Sequence, residues 1–247
     1  MRRHAAAYML TAAALLLLPQ AGRAQSAADY QSVIAAPDRS DADRKTDQRR
    51  KPAEMLAFIG VKPGMAVLDM GADAGYSSEL MARAVGPTGK VYAQEGPNLW
   101  KGNIKDRFEA RMKEPAMKNV TLEVRPFDAP LPPDVKNIDV ITYFFAYHDT
   151  TAMQDVDRAK MNKAMFDALK PGGILVVADH AGPPGGGATT GNTLHRIEES
   201  TLKQEVLAAG FKQVGEANFL RDPKDPHTEK VFGMPSVDEF VVKFQKP

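Results

Sequence analysis

Residues 66–76, AVLDMGADAGY, predict a buried strand, a glycine turn and the start of a helix. The strand would bring Asp69 to the carboxyl edge of a sheet, where a carboxylate can hold a small charged ligand. Gly71 lets the backbone turn tightly, and Gly75 lets a helix and a ligand approach without an intervening Cβ. Asp73 stands where a third glycine is expected. This one segment therefore predicts an α/β sheet with a ligand at its edge.

Strands and helices alternate beyond this segment. The pattern predicts strands at 66–70, 90–94, 120–125, 138–145 and 174–178, and helices at 77–85, 100–113 and 152–169. The apolar runs at 138–141 and 174–177 are typical of strands covered on both faces. An alternating order of strands and helices predicts a doubly wound parallel sheet.

The last part of the chain breaks this alternation. A glycine-rich loop at 182–191 precedes a helix at 196–209, and strands follow at 213–219 and 238–244 with no helix between them. Strands joined without a crossover helix pair antiparallel. The predicted fold class is therefore α/β: a doubly wound, Rossmann-like, seven-stranded sheet, mostly parallel, with an antiparallel C-terminal hairpin strand.

The composition limits what the chain can be. Its 247 residues, 43% of them apolar, suffice for one sizeable α/β domain. The net charge of +1 gives no large field that would attract nucleic acid. The sequence has no cysteine, which excludes disulfides and thiolate catalysis.

Residues 1–24 have the form of a secretory signal. Arg2 and Arg3 precede an apolar stretch at 5–18, and small residues predict cleavage after Ala24. The stretch is shorter than the about 20 residues of a spanning helix, although an uncleaved anchor is the alternative. We therefore expect an exported, periplasmic protein, which is membrane-anchored if the signal is not cleaved.

Two further segments precede the sheet. Residues 25–37 are expected to be weakly structured, and 41–51 to form a solvated helix of mixed charge. Pro52 ends that helix, because it restricts the residue before it, and suits the first turn of the next one. The predicted organisation is a signal at 1–24, a lead-in with a charged helix at 25–51 and one domain at 52–247.

Five motifs at strand ends carry a resemblance. They are VLDMG at 67–71, VYAQE at 91–95, PFDA at 126–129, FAYHD at 145–149 and LKPGGIL at 169–175. With these motifs in this order, the chain resembles a class I S-adenosylmethionine-dependent methyltransferase from Val61 to its end. It is more closely similar to a family of bacterial methyltransferases that often carry a signal, on further matches at 179–180, 194–197, 209–211 and 244–247.

The resemblance implies S-adenosylmethionine as the cofactor and assigns residues to it. The glycine turn would hold the methionine part, with Asp69 placed to receive the ammonium. Glu95 would accept hydrogen bonds from both ribose hydroxyls, which one carboxylate can do. Asp128 would accept the adenine amino group, with the amide of Ala129 facing a ring nitrogen. The expected cofactor-binding residues are Asp69, Gly71, Asp73, Gly75, Tyr76, Glu95, Asp128 and Ala129.

Asp73 departs from the resembling family, which usually has glycine there. Aspartate tolerates left-handed backbone geometry better than most residues, so the turn can still form. Its carboxylate could help to bind the sulfonium or the ammonium, or could repel the cofactor's carboxylate. We expect cofactor binding to be retained with altered affinity.

The candidate catalytic residues are His148, His180 and His195. The first two follow neighbouring strands, so they lie near the carboxyl edge where substrates bind in such sheets. A histidine there could deprotonate a hydroxyl or an amine, although positioning can dominate in an in-line displacement. A structural hydrogen bond at a strand end is the alternative. The expected partner is a small-molecule methyl acceptor, with no nucleic acid.

No metal is expected from the sequence. The residues His148, Asp149, Asp179 and His180 could bind one, as residues after the same strands do in some methyltransferases of small phenols. Those enzymes have an Asp-Asn pair after the fifth strand, where this chain has Asp-His.

Two other functions compete. A nicotinamide dehydrogenase would need glycine at 71, 73 and 76, but the chain has Asp73 and Tyr76. The stronger rival is an exported non-catalytic or repurposed ligand-binding protein on the same fold, because a signal takes the chain away from where the cofactor is made. The presence of Glu95 and Asp128 favours an S-adenosylmethionine-dependent methyltransferase that acts on an unidentified small molecule.

Overall fold

One sheet of seven strands forms the centre of the fold. The computed structural model describes residues 25–247, so the predicted signal segment lies outside the described residues. The strands are β1 (Ala66–Met70), β2 (Lys90–Glu95), β3 (Val120–Val124), β4 (Ile138–Phe144), β5 (Leu169–His180), β6 (Lys212–Ala217) and β7 (Glu239–Gln245). Their order is β3-β2-β1-β4-β5-β7-β6. Strand β7 is antiparallel to β5 and β6, and the other pairs are parallel, which confirms the predicted fold class.

Helices cover both faces of the sheet. They are α1 (Gln31–Ile34), α2 (Asp41–Arg50), α3 (Pro52–Ile59), α4 (Tyr76–Val85), α5 (Gly102–Arg111), α6 (Arg158–Ala168), α7 (Gly191–Leu194) and α8 (Glu199–Ala208). Successive strand residues point to opposite faces, so Val67 packs with α3 and α4 while Leu68 packs with α6 and α8. Within residues 25–247, no helix combines the length and apolarity that crossing a membrane requires.

The strand order creates a cleft at one edge of the sheet. Strand β1 pairs with β2 on one side and with β4 on the other, so the winding of the chain reverses at β1. Open α/β sheets bind ligands outside the carboxyl ends of their strands at such a point. The residues that end β1, β2, β4 and β5 at this edge are Met70, Glu95, Phe144 and His180.

Two element boundaries differ clearly from the sequence prediction. Strand β5 begins at Leu169, which pairs with Ile138, rather than at 174. Helix α6 begins at Arg158 rather than at 152, because the Asp157 side chain accepts a hydrogen bond from a backbone amide at 3.0 Å and caps the helix there. The residues His148–Thr151 form a separate 3₁₀ turn at the edge of the cleft.

The segment before the sheet is more ordered than the sequence predicts. Ala27–Tyr30 and α1 form helical turns in place of a weakly structured lead-in. Tyr30 is buried, and its hydroxyl donates to the carbonyl of Val61 at 2.6 Å. An aromatic side chain that is buried with its hydroxyl bonded fixes this segment on the sheet domain.

Helix α2 is only partly the solvated helix that its mixed charge predicts, because two of its carboxylates have partners inside the molecule. Arg39 pairs with Asp47 at 2.6 Å, and Asp43 pairs with Arg111 of α5 at 2.7 Å. The hydroxyl of Tyr76 donates to Asp47 at 2.7 Å. These charges are therefore neutralised inside the molecule, and α2 is held against the start of α4. The charge pattern of a helix does not reveal such partners, because they lie far away in the sequence.

Candidate active site

A cavity of about 490 Å³ opens at the carboxyl edge of the sheet. Glu95 contributes to one part of its wall, and His148, Asp149 and His195 contribute to another. A smaller cavity of about 90 Å³ adjoins it and is lined by Tyr76. The residues that line both cavities are Arg50, Gly71, Asp73, Phe144 and Phe145. The cofactor side and the acceptor side of the prediction therefore share one space.

Both glycines of the turn after β1 have a left-handed backbone, with φ of 60° at Gly71 and 81° at Gly75. A Cβ on Gly71 would lie 3.0 Å from the Cβ of Ala146. A Cβ on Gly75 would lie 3.0 Å from Arg111 Cδ and 3.1 Å from the ring of Phe108. Gly75 is therefore required by the packing of the protein itself against the turn, in addition to its backbone conformation.

Asp73 adopts the left-handed geometry that the sequence analysis expects, with φ of 47°. Asp73 is exposed and lines both cavities. Its backbone amide donates to Oε2 of Glu95 at 2.9 Å. The turn is thus held on β2 by a backbone amide, which any residue except proline would supply at position 73. The carboxylate of Asp73 is not needed for this bond and faces the cavity.

Glu95 ends β2 with 2% of its surface exposed. Its Oε1 accepts a hydrogen bond from the amide of Gly96 at 2.7 Å, and its Oε2 accepts one from the amide of Asp73 at 2.9 Å. Burial raises the pKa of Glu95 to about 7, although the two amide hydrogen bonds act against it. Each oxygen keeps a further acceptor position, so the carboxylate can bind two hydroxyl groups.

Asp69 is buried outside the two cavities. Its carboxylate accepts hydrogen bonds from the hydroxyls of Ser77 at 2.7 Å, Ser78 at 2.6 Å and Thr142 at 2.7 Å. Burial raises the pKa of Asp69 against the effect of these three bonds. Through Asp69, the bonds hold the start of α4 and strand β4 against β1, and so fix the turn between β1 and α4. The contact of Asp69 with the cofactor's ammonium stays a prediction.

Asp128 and Ala129 lie beside the cavity rather than in its wall. The carboxylate of Asp128 accepts a hydrogen bond from Lys160 at 2.9 Å, and the amide of Ala129 donates to the carbonyl of Pro126 at 3.0 Å. Phe127 lines the cavity in their place. Both groups that the sequence assigns to the adenine thus have protein partners, and their contact with the cofactor stays a prediction.

Arg50, at the end of α2, is a site residue that the sequence analysis missed. Its guanidinium carbon lies 3.4 Å from the ring centroid of Phe145. Among residues 25–247 no carboxylate pairs with it, whereas the neighbouring Arg49 pairs with Glu239 at 2.6 Å. Burial lowers the pKa of Arg50 to about 9, and the charge of Arg49 adds to this effect. The side chain is still charged at neutral pH and can bind an anion.

His148 begins the 3₁₀ turn after β4 and is buried. Its Nδ1 donates to Oδ1 of Asp179 at 2.7 Å, and its backbone amide donates to Oδ2 of the same residue at 2.8 Å. Burial lowers the pKa of His148, but Asp179 and Asp149 outweigh it and raise the pKa to about 10. The pKa of Asp179 is lowered: burial acts to raise it, but the charge and the hydrogen bond of His148 outweigh burial.

His195 reaches His148 from the far end of the glycine-rich loop. Its Nδ1 lies 3.3 Å from Nε2 of His148 and 3.3 Å from Oδ1 of Asp149. Burial lowers the pKa of His195, and the charges of His148 and Lys230 lower it further against the effect of Asp149. At neutral pH the His195 ring is therefore uncharged, so that it can accept a hydrogen bond or a proton from a molecule in the cavity.

His180 ends β5 on the same side of the cavity. Its ring centroid lies 5.5 Å from that of His148 and 5.3 Å from that of Phe145. Its Nδ1 lies 3.2 Å from Oε1 of Glu239. The structure thus brings the three candidate catalytic histidines into the wall of one cavity, while their catalytic roles stay predictions.

The cofactor side of the cavity fits S-adenosylmethionine by the groups that it offers. Glu95 has free acceptor positions for a pair of ribose hydroxyls, and Arg50 has charged donors for a carboxylate. Phe127 and Leu99 offer apolar surface for a purine ring. The carboxylate of Asp73 on the same wall favours a cationic group such as an ammonium or a sulfonium.

Comparisons with known sequences identify the family of the chain. Residues 61–220 match the family described as methyltransferase domain. The chain is similar to the ubiquinone/menaquinone biosynthesis C-methyltransferase UbiE of Vibrio campbellii, at 30% identity over 125 residues, which are 50% of this chain and 44% of that protein. It is also similar to protein-L-isoaspartate O-methyltransferase 1 of Arabidopsis thaliana, at 31% identity over 47% of this chain and 46% of that protein. The chain thus spans about half the length of the curated relatives that it matches.

Solved structures with low sequence identity share the fold. A methyltransferase from Aquifex aeolicus, described as SAM-dependent, has a TM-score of 0.59 at 20% identity, over 83% of this chain and 97% of that one. Fibrillarin of Aeropyrum pernix, solved with S-adenosylmethionine bound, has a TM-score of 0.51 at 15% identity, over 74% of this chain and 67% of that one. Since the family match spans more than half of the chain, the protein belongs to the methyltransferase domain family and has the fold of class I S-adenosylmethionine-dependent methyltransferases.

Proposed function

We propose that the protein transfers the methyl group of S-adenosylmethionine to a small-molecule acceptor bound beside His148, Asp149 and His195. One observation carries this proposal: Glu95 and the three acceptor-side residues line the same cavity of about 490 Å³. A group held by Glu95 and a molecule held by the histidines would therefore lie next to each other. Such juxtaposition is the main requirement of a displacement reaction.

The residues of the cofactor side bind and orient. When bound, S-adenosylmethionine supplies an electrophilic methyl group on a sulfonium. Glu95 holds two hydroxyls on a buried carboxylate, which is itself fixed by the amides of Asp73 and Gly96. Arg50 extends the cradle, because its guanidinium pairs with no carboxylate of residues 25–247 and can bind the carboxylate of the methionine part.

The residues of the acceptor side indicate the kind of molecule that binds there. The aromatic rings of Phe145 and Phe232 line this part of the cavity together with His180, His195 and Asp149. Such a wall suits an acceptor with an apolar body and one polar group, which donates a hydrogen bond to His195 or Asp149. The net charge of +1 over the whole chain does not favour a nucleic-acid substrate.

An exported ligand-binding protein without catalysis is the alternative. This alternative would explain the unusual Asp73. It would leave the histidine cluster, which opens into the same cavity as Glu95, without a role. The left-handed geometry of Asp73 and its amide bond to Glu95 support retained binding instead. We further propose that residues 1–24 direct export, as in the often signal-bearing family; the mass of the mature protein would reveal cleavage after Ala24.

Calorimetric titration of residues 25–247 with S-adenosylmethionine and S-adenosylhomocysteine tests the first half of the proposal. We expect micromolar binding of one molecule per chain. Absence of binding, restored by Asp73→Gly, would favour the non-catalytic alternative.

A screen of phenols, catechols and other small hydroxyl compounds with methyl-labelled cofactor tests the second half. For an acceptor found in this way, His195→Asn should lower turnover while the cofactor affinity stays the same. The matched control is His227→Asn: His227 also has a left-handed backbone and a carboxylate neighbour, and it does not line the cavity. Equal turnover in His195→Asn and the native chain would remove the acceptor-side assignment.

A further inference from the structure

Three potential ligand atoms on the acceptor side form a nearly equilateral triangle. Nε2 of His148 lies 3.2 Å from Oδ1 of Asp149 and 3.3 Å from Nδ1 of His195. The third edge, from Nδ1 of His195 to Oδ1 of Asp149, is 3.3 Å. As possible metal ligands the sequence places His148 and Asp149 with Asp179 and His180, without His195.

This spacing is typical of three atoms that share one metal ion. An ion about 2.1 Å from each atom, with angles of about 100° between its bonds, holds the atoms about 3.2 Å apart. A shared proton is the competing occupant. Charge-assisted hydrogen bonds are shorter, about 2.8 Å, as is the 2.7 Å bond between His148 and Asp179 in the same structure.

We propose that Nε2 of His148, Oδ1 of Asp149 and Nδ1 of His195 bind one divalent transition-metal ion. Two imidazoles and one carboxylate on a single face suit zinc, iron, cobalt or manganese, since magnesium and calcium prefer oxygen ligands. An ion held there would face the cavity with its remaining coordination positions, because all three residues line it.

The surroundings of His148 support this assignment. A metal-binding histidine usually donates its other ring N–H to a carboxylate, which fixes the ring and strengthens its basicity. Nδ1 of His148 does so to Asp179, which is fully buried at the end of β5. Asp179 is fixed in turn by the backbone amides of His148 and His180, each at 2.8 Å.

The backbone at His195 supports it as well. His195 caps the C-terminus of α7 with φ of 53°, a left-handed geometry that persists only where the surroundings impose it. Its amide donates to the carbonyl of Gly191 at 3.1 Å. Gly191 in turn lies so close to the turn of His148 that a Cβ there would approach the His148 carbonyl to 2.5 Å. The two ligating elements are thus packed directly against each other.

The role of the ion rests on the proposed function. An acceptor hydroxyl bound to the ion would lose its proton to water more readily, because the cation stabilises the resulting oxygen anion. That oxygen would then form the new bond to the methyl carbon while the carbon–sulfur bond breaks and its electron pair stays on sulfur. The acceptor class implied is a phenol, enol or alcohol.

The test measures metal binding alone, without cofactor or acceptor. The full chain is treated with a chelator, dialysed and titrated with Zn²⁺ by calorimetry and with Co²⁺ by visible absorption. The variants are His195→Asn and Asp149→Asn, because asparagine tolerates the left-handed backbone of position 195 and is a poor ligand. The control is His227→Asn, whose histidine has a side-chain exposure of 26% against 27% for His195, and φ of 60° against 53°.

We expect one ion per chain, and a loss of affinity of about ten-fold or more in both cluster variants, at least the scale of outer-partner effects. The control should bind as the native chain does, and thermal unfolding confirms that each variant is folded. No binding by the native chain, unchanged affinity in both cluster variants, or an equal loss in the control would overturn the proposal. The same chelated protein is also titrated with S-adenosylmethionine. A protein that binds the cofactor and no metal contradicts the metal site alone, whereas one that does not bind the cofactor contradicts the proposed function.

Discussion

The guanidinium carbon of Arg50 lies 3.4 Å from the ring centroid of Phe145, so the last residue of α2 stacks on the residue that follows β4. A cation over an aromatic face at this distance is attracted by the ring quadrupole. The contact fixes the side chain where the two cavities meet. Helix α2, which precedes the matched family domain, thus contributes Arg50 to the wall of both cavities.

Arg50→Ala should weaken the binding of S-adenosylhomocysteine. A charge-assisted hydrogen bond contributes about 1.5–3 kcal/mol, so we expect the dissociation constant to rise by roughly ten-fold or more. Calorimetry on the purified variant measures this change. Lys45→Ala is the matched control, because it removes one positive charge from an exposed position of the same helix. If both variants bind as the native chain does, Arg50 does not contact the cofactor.

The pH dependence of cofactor binding should follow the ionisation of Glu95. Burial raises the pKa of its carboxyl to about 7. The ionised form accepts hydrogen bonds from both ribose hydroxyls, whereas the protonated form uses one position for its own proton. We therefore expect the affinity to fall by about ten-fold from pH 8 to pH 6. Calorimetric titration with S-adenosylhomocysteine across this range provides the measurement.

Glu95→Gln gives the control for this prediction, because glutamine does not titrate and the pH dependence should flatten. Ionisation of Glu95 has opposite effects on binding and on stability: it strengthens cofactor binding but destabilises the folded state. The unfolded glutamate loses its proton near 4.5, whereas the folded one keeps it to about 7, so ionisation lowers the free energy of unfolding as the pH rises through that window. A native chain and variant with parallel stability profiles from pH 4.5 to 7 would contradict the raised pKa.

The parts of the fold that sequence could predict are those fixed by local chemistry. Strands buried on both faces require continuous apolar runs, and the run at Ile174 to Val177 marks the core of β5 correctly. The left-handed turn requires glycine or a tolerant residue, so Gly71 and Asp73 were placed correctly. Glu95 is assigned by the resemblance to the end of β2, and the structure has it there, next to β1 and in the wall of the cavity.

The parts that sequence could not predict depend on distant partners. Arg50 was assigned to a solvated helix, because nothing local reveals that Phe145 lies against it. His195 was not grouped with Asp149, since the approach of α7 to the turn after β4 depends on how the glycine-rich loop folds back. The hydrogen bond from the amide of Ala129 to the carbonyl of Pro126 is not evident from the sequence either, and the contact of that amide with the cofactor stays a prediction.

Gly75→Ala should destabilise the protein more than Gly60→Ala. Both glycines have nearly the same left-handed φ, 81° and 80°, which an alanine would adopt at a cost of about 1–2 kcal/mol. Only at position 75 would the new methyl press on Phe108 and Arg111, while a methyl at position 60 meets no atom of residues 25–247 within 4 Å. Overpacking of this kind costs about 1–3 kcal/mol more. Urea denaturation of both variants measures the difference, and equal losses would mean that α5 yields freely at this contact.

The glycine-rich loop ends at Gly191, which has no room for a side chain. A Cβ there would clash with Thr151 Oγ1 and would lie 2.5 Å from the carbonyl of His148. The hydroxyl of Thr151 already donates to the same carbonyl at 2.7 Å. The end of the loop is therefore anchored on the turn that carries His148, so any motion of residues 182–191 is restricted at this end.

Gly191→Ala should separate α7 from that turn and carry His195 away from His148. We expect a loss of about 1–3 kcal/mol in the free energy of unfolding, because backbone atoms cannot move aside as a flexible side chain can. Turnover and Zn²⁺ affinity should fall together. The affinity for S-adenosylhomocysteine should not change, because the proposed cofactor site at Glu95 is separate from this turn. Asn192→Ala on the same short helix is the control, since Asn192 is exposed. A Gly191→Ala variant as stable and active as this control would mean that the loop end is not anchored and that His195 reaches the cavity independently of the turn.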